Sequence, residues 1–416
     1  MTEAMDGLDR SVARTVIEVV GQSGVPPEFG YQYFTCGIED YLKTIDLDYL
    51  SDFVKDGGSV FKMVVGVYGG GKTHFLYAVR GLAWSRGFAT SYVSLSPGES
   101  PFHKLELVYG AIIRGLVPPP KPGAIPAGAH YDRGVINLVR YWVMKRQEEY
   151  ARTGLPEDQI NAQMIEDLES MQGIESLSFK RAMIEAFKAV CVDDSEKLEL
   201  LAQWISGEGY DSKHHKALGI LHKIDKAHAP TMIRSLIQWL REIGLSGLVV
   251  MLDEAERVPS LSTKQRDVHL GNLRELIDGC ARSDFSGSMF FYAVPDEGFL
   301  EGNSQVYEAL RQRLGTVFTD YNPAGVKIEL EHINGEPVEM LMDIGLRLGK
   351  VFEIAYASDL KLDERGDFVN EVASKVYDLR FGDTGYKRIF VQKLVEAFHY
   401  LRKKEAVPSL EVLGLE

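Results

Sequence analysis

The chain has 416 residues, of which 45% are hydrophobic and 25% are charged, a composition typical of globular proteins of two or three domains. The net charge of −14 and the lack of a basic stripe do not favour a free-standing DNA clamp, so any DNA contact is expected to be indirect. The three cysteines are far apart, the chain opens without a signal-peptide pattern, and apolar runs such as residues 248–252 are too short to span a bilayer, so we expect a reduced, cytoplasmic protein without membrane contact.

The N-terminal part of the chain, residues 1–57, is predicted to lead into a nucleotide-binding domain. Residues 8–22 have the pattern of a helix, and the Gly-Val-Pro-Pro stretch at 24–27 ends it. The aromatic stretch at 31–36 predicts a short strand, and an acidic helix is expected around residues 38–55.

Strands and helices then alternate, which predicts a parallel sheet. An apolar run at 60–65 has the pattern of a strand, a glycine-rich loop follows, and residues 74–83 have the pattern of a helix. A second strand is predicted at 88–96 and a second helix at 100–116.

The alternation stops at a proline-rich linker after residue 117, and residues 131–242 predict helices with little strand signal. Strands resume at 247–252, 288–294 and 326–330, and the remainder predicts three helices. The predicted organisation is therefore a discontinuous α/β core with a mostly helical insertion and a C-terminal helical lid. In residue numbers, these units are a core at 58–117 and 243–335, an insertion at 118–242 and a lid at 336–416.

The glycine-rich loop fits the phosphate-binding pattern G-x-x-x-x-G-K-[ST], placed between a predicted strand and a predicted helix. Its glycines let consecutive backbone N–H groups face one anion, and the following helix adds its positive end. Lys72 is expected to reach the β- and γ-phosphates of ATP, and Thr73 to hold Mg²⁺. The residues predicted to bind the nucleotide here are Gly66, Tyr68, Gly69, Gly70, Gly71, Lys72, Thr73 and His74.

A second motif, Leu-Val-Val-Met-Leu-Asp253-Glu254, is an apolar strand that ends in two acids. In combination with the phosphate-binding loop it has the Walker B pattern, so Asp253 is the predicted partner of Mg²⁺ and Glu254 the predicted residue that polarises the attacking water. Without that loop, the same residues would be read as an ordinary strand with two acids at its end. A glutamate in this place, and no N-K-x-D signature, favour an ATPase of the additional-strand class over a GTPase.

The strand at 288–294 ends in Val294 followed by Pro-Asp296. Motor ATPases of the AAA+ kind place a polar sensor near this point, and a valine cannot serve. Tyr292 or Asp296 would have to take that role, although a plain strand ending in a proline turn fits the residues as well.

Three arginines are weaker candidates. Arg311 and Arg313 lie on a predicted helix, where one of them could act on a neighbouring subunit as an arginine finger, or both could be ordinary surface residues. Arg388 follows Gly-Tyr-Lys at the start of a C-terminal helix and resembles a sensor-2 arginine that couples a lid to the nucleotide. The histidines between 214 and 228 lie on a Lys-rich stretch and do not predict a metal site.

Taken together, four stretches resemble one family, the BREX-type ATP-binding proteins of bacterial phage-defence islands (the BrxD group), over about residues 10–400. They are Tyr-Phe-Thr-Cys-Gly at 33, Gly-Val-Tyr-Gly-Gly-Gly-Lys-Thr-His-Phe-Leu at 66, Leu-Ser-Pro-Gly-Glu-Ser-Pro-Phe-His-Lys-Leu-Glu-Leu-Val-Tyr at 95, and Val-Met-Leu-Asp-Glu-Ala-Glu at 250. The resemblance implies an AAA+-like P-loop ATPase, encoded beside a helicase-like partner, that uses Mg-ATP in anti-phage defence as a homo-oligomer or in a complex.

Two uses of the nucleotide remain open at this stage. Hydrolysis could drive a defence complex, or ATP binding could act as a switch that orders an assembly while hydrolysis is slow. A DNA-translocating motor in its own right has no support, because helicase motifs and a basic channel are both lacking in the sequence.

Overall fold

The computed structural model describes residues 5, 7–120, 132–253, 261–296, 298, 305–331, 336–362, 365–379 and 385–415. A six-stranded sheet lies at the centre of a mixed α/β arrangement, with the strand order β3-β2-β4-β5-β1-β6. Neighbouring strands are parallel, except for the antiparallel pair β2 and β3. The strands are β1 (Ser59–Val65), β2 (Ala89–Ser94), β3 (Leu116–Val117), β4 (Leu248–Asp253), β5 (Ser288–Val294) and β6 (Lys327–Glu329).

The strand order places β5 between β1 and β4. Every residue of β4 and β5 is buried, as expected for parallel strands covered on both faces. Because the carboxyl ends of parallel strands meet at one edge of a sheet, the loop after β1 and the end of β4 lie at the same edge.

Helices dominate the N-terminal part of the chain before β1. They are α1 (Arg10–Ser23), α2 (Glu39–Thr44) and a π-helix (Ile45–Phe53), followed after β1 by α3 (Lys72–Ser85) and after β2 by α4 (Leu105–Arg114). The prediction of a strand at 31–36 was wrong, because Tyr31–Phe34 form a 3₁₀ turn. The hydroxyl of Thr35 donates to the Tyr31 carbonyl at 2.9 Å, and contacts with α3 decide the local structure over the strand propensity of the aromatic residues.

Among the described residues, six helices lie between β3 and β4 in the chain, and they pack on the face of the sheet that carries α4. Their hydrophobic residues share one core with residues of α4 and of helix α11 (Thr263–Ala281). Side chains of Ser176 and Asp194 cap two of them by accepting hydrogen bonds from the backbone. The six are α5 (Val135–Thr153), α6 (Glu157–Ser170), α7 (Leu177–Cys191), α8 (Ser195–Ile205), α9 (Ser212–Ala217) and α10 (Ala229–Glu242).

The other face of the sheet carries α3, α1 and the C-terminal helices, which form a second core. Helix α12 (Gln305–Leu314) packs on α11 instead. The C-terminal helices are α13 (Pro337–Tyr356), α14 (Gly366–Asp378) and α15 (Tyr386–Lys404). Within the described ranges, every helix is too short or too polar to cross a membrane.

Candidate functional site

The glycine-rich loop joins β1 to α3 at the carboxyl edge of the sheet. Gly69 and Gly71 have φ values of 74° and 104°, in the left-handed region that favours glycine. A Cβ atom at Gly70 would lie 2.9 Å from the backbone carbonyl oxygen of Val67, so this position has no room for a side chain. Gly66 has ordinary backbone angles and packs against Leu330. Two of the four glycines are therefore required by conformation and a third by close packing.

Lys72 is the first residue of α3, and its side chain is buried within the loop. Its Nζ donates to the carbonyl of Gly66 at 2.8 Å and to that of Val67 at 3.2 Å. The ammonium group of Lys72 is therefore held by the backbone at the start of the loop.

Thr73 and Asp253 are 180 residues apart in the sequence, but they are hydrogen-bonded in the fold. The Thr73 hydroxyl donates to Oδ2 of Asp253 at 2.8 Å, and the Tyr92 hydroxyl donates to the same oxygen at 2.6 Å. Asp253 is the last residue of β4 and is 1% exposed. Burial and the charge of Asp253 raise the pKa of Tyr92, so this hydroxyl remains a donor.

The donor set fits a Mg²⁺ ion that is shared with phosphates. Mg²⁺ is usually bound by one or two protein oxygens, with phosphate and water completing the octahedron. Thr73 and Asp253 supply one hydroxyl and one carboxylate. In the described part of the chain no group of three or more His, Cys, Asp and Glu side chains is placed to hold a metal without a phosphate ligand.

A cavity of about 310 Å³ extends from this loop. One end is polar and consists of the loop with Asp253, and the other is mostly apolar and is formed by three separate parts of the chain. Burial raises the pKa of Cys36, in that apolar end, to about 12, so it contributes a neutral thiol. The apolar lining comes from residues 20–38, α13 and α15, and comprises Val20, Val25, Pro26, Phe34, Cys36, Ile38, Met340, Ile344 and Val391.

Two cations of α15 approach the loop in different ways. Lys387 Nζ donates to the carbonyls of Gly70 at 3.1 Å and Leu330 at 3.3 Å, and burial lowers its pKa. Arg388, the predicted sensor, is held at the rim, where Nε donates to the Ser23 carbonyl at 2.6 Å. Lys387 is thus the cation of α15 that bonds to the backbone of the glycine-rich loop, and the sequence analysis did not select it.

The other contact of Arg388 is with Tyr68, the tyrosine inside the loop. Arg388 Nη1 donates to the Tyr68 hydroxyl at 2.8 Å, and the guanidinium lies 5.3 Å from the ring centre. The backbones of loop and helix also touch, since a Cβ on Gly69 would lie 2.8 Å from Cα of Gly385. The start of α15 is therefore fixed directly on the loop.

His74 lies in the lining of the cavity, but its ring is already held by contacts with residues 31–35. Nε2 is 2.7 Å from the Thr35 hydroxyl, and the ring packs edge-on against Phe34 and Tyr31. Burial, with a smaller contribution from the charge of Lys387, lowers the pKa of His74 to about 4. This histidine is neutral at pH 7 and holds the 3₁₀ turn against α3.

The two arginines of α12 differ in their contacts. Arg313 forms an ion pair with Asp278 of α11 and donates to the Ala309 carbonyl at 2.9 Å. Arg311 is exposed and makes no hydrogen bond or ion pair with another described residue. Arg311 is therefore the better placed of the two to reach a neighbouring subunit. Glu254, the predicted catalytic acid, lies outside the described residues.

The two sensor candidates at the end of β5 lie in different surroundings. Tyr292 is fully buried in the core on the α11 side of the sheet, where its hydroxyl lies 2.7 Å from Nε2 of His269. Asp296 is exposed, and its carboxylate accepts from the Gly298 backbone at 2.6 Å. The sensor interpretation was therefore wrong for Tyr292, because alternation along the strand turns its side chain to that face.

A family model described as "BREX system ATP-binding protein BrxC/D" matches residues 8–415, nearly the whole chain. No curated protein matches the chain.

Proposed function

The chain belongs to the family of BREX system ATP-binding proteins BrxC/D, as its motifs predicted, and on that premise we propose that it binds and hydrolyses Mg-ATP at the cavity beside the glycine-rich loop. Membership of this family implies a role in a phage-defence system. The observation that carries the proposal is the hydrogen bond between Thr73 and Asp253, which joins the two predicted Mg²⁺ partners.

The strand order supports an AAA+-like P-loop fold of the additional-strand class. Such ATPases have one strand between the strand that leads into the phosphate loop and the strand that ends in the Walker B acid. Here β5 lies between β1 and β4 in that way. A helical insertion at 118–242 and a C-terminal lid at 336–416 complete the proposed organisation.

Each residue of the polar end then has a defined task. The backbone N–H groups of the loop and the start of α3 bind the phosphates, and Lys72 donates to their outer oxygens. Thr73 and Asp253 would hold Mg²⁺, which neutralises charge on the phosphates when bound. Glu254 is proposed to orient and deprotonate the attacking water. Lys387, already on the loop, is proposed as a second cation for the terminal phosphate.

The apolar end is proposed to take the base and ribose of the nucleotide. Its wall is built mainly from aliphatic side chains with one aromatic ring, Phe34, which suits the faces of a purine. Because α13 and α15 both contribute, bound nucleotide would join the C-terminal helices to the N-terminal segment and the loop. Tyr68 and Arg388 would close the rim.

Family membership places the protein in a multi-protein system, so complexes with other components of that system are expected. We propose that hydrolysis drives or switches assembly with such partners, among them a helicase-like protein that acts on DNA, in the cytoplasm. If copies of this chain also assemble around the nucleotide, Arg311 is the proposed finger, because Arg313 is held by Asp278.

The test is ATP turnover by the purified chain, alone and with its partner proteins and DNA. We expect Mg²⁺-dependent hydrolysis that Glu254→Gln abolishes while ATP binding is retained, and Asp253→Asn should remove the dependence of binding on Mg²⁺. Asp359→Asn, at a residue outside the cavity lining, is the matched control. Failure to bind ATP under all these conditions would contradict the proposal.

A second candidate, a nucleotide switch with little hydrolysis, is favoured by the end of β5. Val294 is buried, and neither Tyr292 nor Asp296 lines the cavity. A switch requires that Glu254→Gln keeps or strengthens partner binding in ATP while Lys72→Ala abolishes it. Equal loss of partner binding in both variants would count against the switch and in favour of turnover.

A further inference from the structure

Tyr92 of β2 contacts Asp253 from outside the cavity. In the parallel pairing of β2 with β4, Ser94 is the partner of Asp253, and Tyr92 comes two residues before Ser94. Side chains two residues apart on a strand share one face of the sheet, so Tyr92 and Asp253 lie on the same face. Tyr92 packs there against the core that contains α3, and it is not part of the cavity lining.

The Tyr92 hydroxyl is one of two donors to a single carboxylate oxygen. It donates to Oδ2 of Asp253 at 2.6 Å, and the Thr73 hydroxyl donates to the same oxygen at 2.8 Å. Hydrogen bonds from hydroxyl groups to carboxylates are short and about twice as strong as bonds between neutral groups. Because a carboxylate oxygen accepts about two such bonds, Oδ2 is held from β2 and from α3 at once. The two donors therefore fix the orientation of the Asp253 carboxylate.

The two donors differ in what ligand binding asks of them. Thr73 is a proposed Mg²⁺ partner, so its hydroxyl oxygen has to serve the ion as well as Asp253. Tyr92 lies outside the cavity lining, on a strand that pairs with β4 from end to end. Its bond to Asp253 therefore does not compete with the nucleotide or the ion.

The ring of Tyr92 is itself held by α3. The ring centres of Tyr92 and Tyr77 are 5.3 Å apart, and Tyr77 lies one helical turn after Thr73 on the same side of α3. The guanidinium of Arg80 lies 4.5 Å from the centre of the Tyr77 ring, and this buried arginine donates to Oε1 of Glu28 at 2.6 Å. Packing thus fixes the Tyr92 hydroxyl before a ligand binds, which is what a residue that orients a metal partner requires.

We propose that Tyr92 is a positioning residue, which orients the Asp253 carboxylate for Mg²⁺ and so sets the affinity of the nucleotide site for the ion. The proposal rests on the Mg-ATP function proposed above and adds a residue to it. Residues that orient metal ligands from outside the coordination shell typically contribute 10- to 100-fold to metal affinity. A tyrosine that only filled the core would affect nucleotide binding equally with and without Mg²⁺.

The test is calorimetric binding of β,γ-imido-ATP, an analogue that is not hydrolysed, with Mg²⁺ and with EDTA. Tyr92→Phe should lower the affinity for the Mg²⁺ complex by about tenfold and leave the affinity in EDTA as in wild type. Tyr77→Leu, which removes the supporting ring and keeps the Tyr92 hydroxyl, should show a smaller loss of about threefold.

The matched control is Tyr109→Phe. Tyr109 is fully buried in α4, and its hydroxyl makes no hydrogen bond with another described residue. This variant loses the same group from a tyrosine that does not contact Asp253. It should bind the analogue as wild type does, with and without Mg²⁺.

A double variant tests whether Tyr92 acts through Asp253. Adding Tyr92→Phe to Asp253→Asn should lower the affinity for the Mg²⁺ complex no further, because the carboxylate that Tyr92 orients is already gone. An additive loss would overturn the proposal, and so would an equal loss with and without Mg²⁺ in Tyr92→Phe.

The wild type separates this proposal from the function on which it rests. A wild type that binds the analogue equally with Mg²⁺ and with EDTA would overturn the Mg²⁺ assignment of Thr73 and Asp253, and the role of Tyr92 with it. A wild type that binds more tightly with Mg²⁺, beside a Tyr92→Phe variant that behaves in the same way, would overturn the role of Tyr92 alone.

Discussion

The two ends of the cavity beside the glycine-rich loop are built in different ways. The polar end comes from six consecutive residues, Tyr68–Thr73, together with Asp253. The apolar end is assembled from residues 20–38, α13 and α15, which are far apart in the sequence. A short motif can therefore define the phosphate site, whereas the site proposed for the base exists only after three segments have packed together.

The difference has consequences for mutation. The polar end acts through a few charged and backbone groups, so removing one of them should abolish function without affecting the rest of the fold. The apolar end acts through shape, so it should tolerate conservative changes and respond strongly to changes in volume.

The largest effect is expected at the centre of the polar end. Lys72→Ala should lower ATP turnover by about 100-fold or more, because the cation that donates to the phosphates is lost. ATP binding by calorimetry and turnover by phosphate release measure the effect. Lys403→Ala, at an exposed lysine far from the cavity, is the control. An unchanged turnover in Lys72→Ala would show that the polar end does not bind the phosphates of ATP in the proposed way.

The contrast between the ends is tested directly by filling the apolar one. Ile344→Trp should weaken ATP binding by roughly 5- to 150-fold, the range that overpacking of about 1–3 kcal/mol gives. Inorganic tripolyphosphate, which needs the polar end alone, should bind the variant as it binds wild type. Ile344→Val is the conservative control, with little expected change. Equal loss of ATP and tripolyphosphate binding would show that the two ends are not separable.

A smaller effect is expected where α15 meets the loop. Lys387→Ala should lower kcat/KM by about tenfold, because its ammonium lies on the Gly70 carbonyl. Arg388→Ala should lower it by only about threefold, because that guanidinium is held by Ser23 and Tyr68 at the rim. Steady-state kinetics compare the two variants, with Lys393→Ala on the same helix as control. A larger effect of Arg388→Ala would restore the sensor role predicted from the sequence.

The smallest effect on the nucleotide is expected from Lys62, a buried lysine of β1 outside the cavity. Its Nζ donates to the Tyr49 hydroxyl and to the carbonyls of Pro323 and Gly325. Burial lowers the pKa of Lys62 from 10.5 to about 7. Below about pH 7, Lys62 is protonated in both the folded and the unfolded chain. Between about pH 7 and pH 10.5 it keeps its proton only in the unfolded chain, so the free energy of unfolding rises with pH over that range.

The measurement for Lys62 is urea unfolding between about pH 6 and pH 10. Wild type should gain up to about 1.4 kcal/mol per pH unit relative to Lys62→Met above about pH 7, and ATP binding by the variant should change little. Lys403→Met is the exposed control and should follow wild type. A stability difference that is constant with pH would show that Lys62 stays charged in the fold.

Much of the sheet could be predicted because its central strands are mostly apolar runs, each preceded by a glycine. The strands predicted at 60–65, 247–252 and 288–294 agree closely with β1, β4 and β5. The strand prediction at 31–36 was wrong, because Tyr31–Phe34 form a 3₁₀ turn that packs between α3 and α13. The short antiparallel strand β3 has too few residues to give a pattern.

The sequence by itself determined the phosphate loop, the acid at the end of β4 and the family, because these depend on consecutive residues whose chemistry is local. Only the tertiary structure decided that Thr73 and Asp253 meet, that Lys387 and not Arg388 bonds to the backbone of the loop, and that Arg313 is held by Asp278. Each of these depends on packing between elements far apart in the chain. Distances of that kind follow from how the helices cover the two faces of the sheet, and no short pattern of residues encodes them.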